Sequence, residues 1–316
     1  MHLYDLIIIG AGPAGITAAI YAARKRLDFL VITRDIGGQT LLSPDVENYL
    51  GYHYLSGAEL VKKFEEHLRD YKIEVRKEEV KNIEKLDEII KVISDKNSYE
   101  TRTLIIASGK RLKKLNIPGE REFLGKGVSY CATCDAPLFA GKDVAVIGGG
   151  NAALTTCLQM IRIANKIYII NIAPELTGDE IMREKLEQNK NVAIFNNSKL
   201  LEISGDKFVT GIRIETKGGK KRLDVQGVFV EIGLIPNVQF ASIIEKNRDD
   251  EIMISRDTEM YKENMTNVEG IFAAGDVTDV PEKQIIVAAG EGSKAALAVA
   301  DYLSRKKEKK QTKKNA

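Results

Sequence analysis

One glycine-rich turn, Gly10-Ala-Gly-Pro-Ala-Gly15, constrains the fold of this chain more than any other feature. The apolar run Leu6–Ile9 precedes it without alternation, as expected of a strand buried on both faces of a parallel sheet. Good helix formers follow over residues 16–23. In such a unit the glycines permit a tight bend, the approach of a pyrophosphate and close helix–strand packing. The residues predicted to hold a dinucleotide here are Gly10, Gly12, Pro13, Ala14 and Gly15.

The same pattern recurs near the middle of the chain. The strand-like run Val144–Ile147 leads into Gly148-Gly-Gly150, and a helical run covers residues 154–164. Repetition of the strand, glycine turn and helix implies two nucleotides, one in each of two domains, brought together for electron transfer. The residues predicted at this second turn are Gly148, Gly150, Asn151 and Ala152.

Three further strand ends are candidate nucleotide contacts. Asp35 follows the apolar run Phe29–Ile32 at the distance from the first turn where an acid binds ribose hydroxyls. Gly275 and Asp276 end a second apolar run, and a carboxylate at that position can bind a sugar hydroxyl. Gly109 ends a third run with small residues, which let the backbone approach a nucleotide.

The stretch Cys131-Ala-Thr-Cys-Asp135 predicts a redox centre. Two cysteines with two residues between them can close a small disulfide ring, the usual agent of thiol–disulfide exchange. Asp135 supplies a carboxyl that could shuttle a proton, although it could also be a simple helix cap or turn residue. Half of a zinc site is the alternative, but Cys157 and the histidines show no second paired spacing. No metal is therefore expected, and Cys157 is predicted to be a small buried hydrophobe.

Composition excludes several classes of function. At 316 residues, with 44% hydrophobic and 29% charged residues, the chain is long enough for two domains with their own cores. The uncharged run Leu6–Ala23 is interrupted by glycines and a proline, so no membrane span is predicted. Three cysteines are too few for a disulfide framework, and a CxxC pair without a secretion signal indicates a reducing compartment, the cytoplasm.

Positive charge is concentrated at the C-terminus. Residues 305–314 carry a net charge of +6, whereas the whole chain carries +2, so the remainder is mildly acidic. A basic surface for nucleic acid is therefore not expected on the folded part. Residues 305–316 are predicted to form a solvated, disordered basic tail.

Together these motifs resemble the low-molecular-weight thioredoxin reductases, and equally the C-terminal part of the alkyl hydroperoxide reductase flavoprotein subunit. The resemblance covers residues 3 to about 304. Beyond the first glycine turn and the dithiol stretch, its most specific marks are Gly37-Gly-Gln39, Val46-Glu-Asn48, Gly275-Asp276 and Lys283-Gln-Ile285.

This resemblance implies an α/β fold of two Rossmann-like nucleotide-binding domains, the second inserted in the first. Residues 1–113 and 243–316 would bind FAD, and residues 114–242 would carry the pyridine nucleotide and the dithiol. Cys134 would face the flavin, Cys131 would attack the disulfide of a protein substrate, and Asp135 would donate and accept the proton. The flavin contacts carried over by the resemblance are Gly38, Gln39, Asn48, Lys283, Gln284 and Ile285.

The activity implied is that of a thioredoxin-disulfide reductase acting on a small thioredoxin- or glutaredoxin-like protein. Family members are homodimers that alternate between two domain orientations. An N-terminal module with its own dithiol marks the peroxide-reducing flavoprotein, and this chain starts at the FAD strand, which favours thioredoxin reductase. Two alternatives remain: the flavoprotein reductase of a peroxiredoxin system, and a flavin-binding regulatory module without turnover.

The electron donor is indicated by the residues after the strand Lys166–Ile170. Thioredoxin reductases of the common type carry His and Arg there for the 2′-phosphate of NADPH, whereas this chain has Asn171-Ile-Ala-Pro-Glu-Leu176. Asn171 stands where an acid would be expected and could bind a ribose hydroxyl. We therefore expect NADH to be favoured over NADPH, with a non-nicotinamide donor such as ferredoxin as the alternative. Three acidic residues before Arg183 would repel the phosphate: Glu175, Asp179 and Glu180.

Overall fold

The computed structural model describes residues 2–43, 46, 48–257 and 262–314, without the side chains of Leu42, Thr133, Cys134 and residues 309–314. The chain forms two compact units. The first unit consists of Met1–Arg111 and Ile235–Ala316, and the second consists of Leu112–Leu234. The second unit is therefore inserted in the sequence of the first.

The chain returns to the first unit at residue 235, somewhat earlier than the position 243 expected from the sequence. Asn237 explains this difference. Its backbone N–H donates to the Gly109 carbonyl over 3.0 Å, and its side chain donates to the Ser108 carbonyl over 2.9 Å. The Ser108 hydroxyl donates to the Asn237 carbonyl over 2.7 Å. These three bonds attach the returning segment to the strand end that leaves the first unit.

The described residues form strands and helices in the following order within each type. The strands are β1 (Leu3–Ala11), β2 (Phe29–Ile36), β3 (Val75–Lys77), β4 (Val80–Leu86), β5 (Ile89–Ser94), β6 (Ser98–Ile106), β7 (Lys110–Leu112), β8 (Val128–Ser129), β9 (Asp143–Ile147), β10 (Lys166–Ile170), β11 (Val192–Phe195), β12 (Lys199–Gly205), β13 (Val209–Thr216), β14 (Gly219–Leu223), β15 (Gly227–Val230), β16 (Leu234–Pro236) and β17 (Ile271–Ala273). The helices are α1 (Pro13–Arg24), α2 (Gly57–Asp70), α3 (Ala132–Asp135), α4 (Asn151–Met160), α5 (Glu180–Glu187) and α6 (Ile285–Lys314), with short 3-10 turns at Gly38–Leu42 and Ala136–Phe139.

The first unit is built on a seven-stranded sheet with the order β3-β2-β1-β6-β5-β4, in which β17 also pairs with β6. Strands β1, β2, β3, β6 and β17 are mutually parallel, and β4 and β5 form an antiparallel extension from β6. The central residues Leu6–Ile9 are buried, as their unbroken apolar run predicts for a strand covered on both faces. The α/β fold class expected from the sequence is confirmed.

The second unit has a parallel five-stranded sheet with the order β11-β10-β9-β15-β8. A separate antiparallel sheet, β12-β13-β14, was not predicted. Its signal is present in the sequence, because exposed Thr210 and Arg213 lie between the buried residues Val209, Ile212 and Ile214. A turn at residues 217–218 then leads into β14. The second unit therefore combines a nucleotide-binding sheet with a small antiparallel layer.

Helix α6 is longer than the segment 289–302 expected from the sequence, and its residues 305–314 are helical rather than a disordered tail. Lysine, glutamate and glutamine are good helix formers, so these residues continue the helix. Lys306 also contacts other parts of the first unit, with its Nζ 3.8 Å from a Glu88 carboxylate oxygen and 3.4 Å from a Glu269 carboxylate oxygen. Among the helices in the described ranges, none combines the length and the apolar character that a membrane crossing needs.

Helices α1 and α6 pack together through glycine. A Cβ placed on Gly292 would lie 2.0 Å from the Ala14 carbonyl oxygen, so only glycine lets the two backbones meet there. Ala14, Ala18, Ala295 and Val299 fill the buried contact on either side. This contact fixes the start of α1 against the C-terminal helix.

Gly292→Ala should lower the free energy of unfolding by about 1–3 kcal/mol, because the added methyl group overpacks a backbone contact. Gly290 is the matched control in the same helix, since no atom lies within 4 Å of its Cβ position. Gly290→Ala should be neutral or stabilise the protein by up to about 1 kcal/mol through helix propensity. Urea denaturation followed by circular dichroism compares the two variants. Equal stability of both variants would contradict the close packing of α1 and α6.

Candidate active site

The first glycine turn is shaped by backbone contacts. Gly10 has a φ of +105°, and a Cβ at this residue would lie 2.3 Å from the Ala107 carbonyl oxygen. A Cβ on Gly15 would lie 1.9 Å from the Gly10 carbonyl oxygen. Gly12 differs, because no protein atom lies within 4 Å of its Cβ position. Gly10 and Gly15 are therefore required for packing, whereas Gly12 leaves open space beside the start of α1.

Helix α1 presents its first N–H groups at this open space. The residue before it, Gly12, makes no side-chain capping bond, and the first turn of the helix contains no acidic residue. The unpaired N–H groups and the helix dipole make such a terminus a binding site for an anion. The predicted positions of Gly12, Pro13 and Ala14 thus lie together at one helix terminus.

Gly275 brings Asp276 to the same place. A Cβ on Gly275 would lie 2.8 Å from the Ala14 Cβ, so the turn after β17 lies directly against the start of α1. Burial raises the pKa of the Asp276 carboxyl, and the positive charges of Lys283 and Lys110 oppose this effect. Asp276, which is predicted to bind a sugar hydroxyl, therefore lies in a turn that contacts the predicted pyrophosphate site at the start of α1.

Lys283 belongs to a partly buried ionic cluster that the sequence does not predict. Its Nζ lies 3.1 Å from Glu251 Oε1 and donates to the Thr278 carbonyl over 2.6 Å. Lys110 Nζ lies 2.6 Å from the same Glu251 oxygen. Lys283 is therefore bonded within the protein and acts on Asp276 through its charge. No local sequence signal links Lys110 with Glu251, because they are distant in the chain and meet only in the fold.

The predicted flavin contacts are partly assembled. Asn48 Nδ2 donates to Gln284 Oε1 over 3.0 Å, and Ile285 packs beside Val46. A Cβ on Gly38 would lie 3.6 Å from Gly12 Cα, and Gln39 follows in the same 3-10 turn. Gly109, with a φ of +63°, follows β6, whereas Asp35 is exposed at the end of β2. Glu47 of the quoted motif lies outside the described residues.

A bound FAD fits this arrangement. Any side chain at Gly12 would occupy the space that a pyrophosphate needs, and the uncapped α1 terminus would hold its charge. Asp276 is the residue that would accept from a sugar hydroxyl. The paired amides of Asn48 and Gln284 offer further donors and acceptors.

The second glycine turn repeats this construction. Gly148 has a φ of +138°, and its Cβ would lie 2.3 Å from the Glu231 carbonyl oxygen. The nearest atom to a Cβ on Gly150 is Thr177 Oγ1 at 3.9 Å, and α4 begins after Gly150 without a side-chain cap. Asn151 and Ala152 are exposed on the first turn of α4. The pyrophosphate of a nicotinamide nucleotide therefore fits a second open helix terminus.

The loop over residues 171–179 folds across this turn. The N–H groups of Thr177 and Gly178 donate to the Gly149 carbonyl over 2.8 and 3.2 Å. Asn171 is buried, and its Nδ2 donates to the Ala173 and Glu175 carbonyls and to Asn196 Oδ1. The Asn171 amide thus holds the loop together. Its N–H groups have little capacity left to donate to a ribose hydroxyl, which is the role that the sequence had suggested.

The dithiol stretch begins helix α3. Cys131 is the residue before the helix, is disulfide-bonded, and accepts from the Asp135 N–H over 3.1 Å. The side chain of Cys134 lies outside the described residues. Asp135 is only 7% exposed. Ala132 and Ala136 share a core cluster with Leu154 of α4, so the dithiol stretch packs on the helix that follows the second glycine turn.

Glu231 is a second residue that sequence reasoning missed. It follows β15 beside Gly148 and accepts from the Thr156 hydroxyl over 2.7 Å. Burial raises the pKa of the Glu231 carboxyl to about 7, and the Thr156 bond opposes this effect. An acid directly after a fully apolar strand was the available signal. Burial also raises the pKa of Cys157, the free thiol nearby, so that thiol stays protonated.

Within the described residues, the two units supply two open helix termini and one disulfide. No group of three or more His, Cys, Asp or Glu side chains in that part of the chain is arranged to hold a metal ion. A disulfide takes up two electrons and two protons when it is reduced. Bound nucleotides and a disulfide are the components of an electron-transfer reaction.

Comparisons with known proteins support this chemistry. The chain belongs to the pyridine nucleotide-disulphide oxidoreductase family, whose sequence profile matches residues 4–292. It is similar to thioredoxin reductase from Streptococcus pyogenes, a solved structure with a TM-score of 0.87 and 35% sequence identity. That likeness covers 96% of this chain and 99% of the other. The predicted resemblance to thioredoxin reductases is confirmed.

Curated relatives carry other names. A Bacillus subtilis protein named NADH dehydrogenase is 40% identical over 306 residues, which are 96% of this chain and 59% of that protein. The F component of alkyl hydroperoxide reductase from Staphylococcus aureus is 42% identical over 307 residues, which are 96% of this chain and 59% of that protein. The chain thus spans about 59% of the length of these curated relatives.

Glu231→Gln should change how stability depends on pH. The folded-state pKa of about 7 lies above the ordinary value of 4.5, so the folded protein holds a proton that the unfolded chain releases. The wild type should therefore lose stability as pH rises from about 4.5 to about 7. Gln keeps an acceptor for Thr156 and does not titrate, so the variant should be more stable at alkaline pH by on the order of 2 kcal/mol. The urea midpoint of each protein is measured as a function of pH. Parallel profiles for the wild type and the variant would contradict the pKa shift.

Proposed function

We propose that the chain is an FAD-dependent disulfide reductase that transfers electrons through Cys131 and Cys134 to the disulfide of a small thioredoxin- or glutaredoxin-like protein. The observation that carries this proposal is the disulfide-bonded Cys131 at the start of α3. Its segment packs on α4, whose uncapped N-terminus fits a nicotinamide nucleotide. A bound flavin would supply the two-electron relay between the nucleotide and the disulfide.

Each residue of the dithiol stretch has a proposed role. Cys134 is the proposed sulfur that receives electrons from the flavin, and reduction of the Cys131–Cys134 disulfide takes up two electrons and two protons. The Cys131 thiolate then attacks the partner's disulfide, which forms a mixed disulfide and releases one partner thiolate. Cys134 displaces the second partner thiol and restores the internal disulfide. Asp135 is the proposed carrier of the proton, because its buried carboxyl directly follows Cys134 in the chain.

The proposed assignment of nucleotides follows the two units. The first unit would hold FAD at the α1 terminus and Asp276, and the second would hold the nicotinamide nucleotide at the α4 terminus. A homodimer is proposed on the resemblance to thioredoxin reductases. We propose the cytoplasm as the location, because a catalytic dithiol needs a reducing compartment.

A second candidate function is the reductase of a peroxiredoxin system. The Staphylococcus aureus relative, a component of alkyl hydroperoxide reductase, is 42% identical, compared with 35% for the Streptococcus pyogenes thioredoxin reductase. Both functions use the same dithiol and differ in the partner. Turnover with purified thioredoxin, compared with turnover with a peroxiredoxin and a separate dithiol carrier, distinguishes them. Failure with every protein disulfide would leave the regulatory flavin-binding module.

Substitution of the two cysteines should give different products with a protein disulfide. Cys134→Ser should lose turnover but trap a mixed disulfide between Cys131 and the partner, because no thiol remains to resolve it. Cys131→Ser should lose turnover and trap nothing. Non-reducing electrophoresis of each reaction measures the trapped species. Cys157→Ala is the control and should keep turnover, since Cys157 is fully buried. Turnover by Cys131→Ser would refute the assignment.

NADH should reduce the bound flavin faster than NADPH. The 2′-phosphate is normally held by charged guanidinium groups, whereas the loop before Arg183 holds only acidic charges, and Arg183 itself donates to the Leu176 carbonyl. Ile172→Arg places a cation just after β10, where the side chain is 74% exposed. This variant should raise the NADPH rate about tenfold and leave the NADH rate unchanged.

Ile172→Gln is the matched control for size and polarity, and it should not raise the NADPH rate. Anaerobic stopped-flow measurement of the flavin absorbance gives each rate. A wild-type protein reduced faster by NADPH would refute the charge argument. Reduction by neither nucleotide would point to a donor such as ferredoxin.

A further inference from the structure

Tyr130, the residue directly before the redox-active Cys131, is held by a buried glutamate. The Tyr130 hydroxyl donates to Glu120 Oε1 over 2.5 Å. Glu120 is only 5% exposed, and it also accepts from the N–H groups of Leu115 and Asn116, each over 2.7 Å. Burial, and then the Glu120 carboxylate, raise the pKa of Tyr130, so the phenol remains a donor. We call the hydrogen bond between Tyr130 and Glu120 the Tyr130–Glu120 anchor.

The backbone of Cys131 is held from the other side by Ser129. The Cys131 N–H donates to Ser129 Oγ over 3.0 Å, and the Ser129 hydroxyl reaches the Cys131 carbonyl at 3.3 Å. Ser129 is 3% exposed and ends strand β8 of the second unit's parallel sheet. Both residues that precede Cys131 are therefore attached to buried parts of the second unit.

The anchor adds to contacts that both side chains already make. The Tyr130 ring already packs against the apolar cluster that contains Val128 and Ile147. Glu120 already accepts two backbone N–H groups on the segment 115–116. The added hydroxyl–carboxylate bond joins this segment to the residue before the thiol.

We propose that Glu120 and Tyr130 are positioning residues that hold Cys131 in the geometry of its disulfide and thereby set the reduction potential of the dithiol. This inference rests on the proposed function in one respect, which is that Cys131 forms a redox couple with Cys134. Cys131 is disulfide-bonded while the anchor is formed, so the anchored geometry is that of the oxidised state. Restricting one thiol in that geometry raises the effective concentration for ring closure.

The direction of the effect follows from the chemistry of the couple. Forming the disulfide removes two electrons and two protons from the two thiols, and oxidised dithiothreitol can accept both. If the anchor is lost, Cys131 samples more positions, and the equilibrium constant for disulfide formation falls. The dithiol then becomes easier to keep reduced, and its reduction potential becomes less negative.

Tyr130→Phe is the variant of choice, because it keeps the ring and leaves both backbone bonds of Glu120 intact. The full-length protein is equilibrated with reduced and oxidised dithiothreitol at fixed ratios. The free thiols are then trapped with a maleimide and counted by mass. We expect the equilibrium constant for disulfide formation to fall threefold to tenfold, which is about 15–30 mV. Glu120→Gln should shift it in the same direction.

Tyr99→Phe is the matched control. Tyr99 donates to Glu78 Oε1 over 2.8 Å in the first unit, so this variant removes a bond of the same chemistry with Glu78 equally buried. It should lower the thermal midpoint by a similar amount and leave the equilibrium constant within twofold of the wild type. Tyr168→Phe removes a hydroxyl from the second unit, and it should likewise leave the constant unchanged.

The possible outcomes separate this inference from the proposed function. A wild-type protein that titrates reversibly, with Tyr130→Phe within twofold of it, would overturn the positioning role and leave the reductase function in place. An equal shift in Tyr99→Phe would show a general loss of stability and would also overturn it. A wild-type protein whose Cys131 disulfide does not exchange with dithiothreitol would overturn both proposals.

Discussion

Backbone contact around Ala14 is the constraint on which the first unit depends. Gly15, Gly275 and Gly292 belong to α1, the turn after β17 and α6, and a Cβ on any of them would overlap its neighbour. The nearest atom is a main-chain oxygen for Gly15 and Gly292 and the Ala14 Cβ for Gly275. None of these atoms can move by a change of rotamer, so the three positions are specified by sterics. These contacts bring the turn that carries Asp276 against the start of α1, although the two segments are distant in the chain.

Glu251 and Glu231 illustrate two different ways to accommodate an acidic group away from water. In the first unit Glu251 is surrounded by donors, because Lys110, Lys283 and Asn247 all bond to it. These partners lower the pKa of Glu251 although burial raises it, and the carboxylate stays charged. In the second unit Glu231 has one hydroxyl partner in place of a cation, and burial raises its pKa to about 7. Glu251 is thus stabilised as a carboxylate by its partners, whereas Glu231 takes up a proton more readily than an exposed carboxyl does.

Local features were predictable from the sequence, and distant pairings were not. Each glycine turn is encoded within about a dozen residues, so the spacing of Gly10, Gly12 and Gly15 was sufficient to place it. The roles assigned to Cys131 and Asp135 came from their neighbours in the chain and stay predictions. Lys110 and Glu251 have no such local signature, because tertiary folding alone brings them together.

Other differences arise from competing physical effects. The basic C-terminal segment was predicted to be disordered because of its charge. The described part of this segment, up to residue 314, is helical instead, because its residues favour the helix and continue α6. Asn171 was predicted to face a ligand, yet the loop needs its amide for three internal acceptors. A side chain that can satisfy the backbone nearby does so before it is available to a ligand.

The free thiol of Cys157 has a practical consequence that follows from its place in α4. It is 0% exposed and packs among Leu154, Met160 and Phe229, and its high pKa keeps it from forming the thiolate that reagents attack. A water-soluble alkylating reagent should therefore not react with Cys157 in the folded protein, and it should modify this thiol when the second unit unfolds. The alkylation rate of Cys157 therefore measures how often the second unit unfolds.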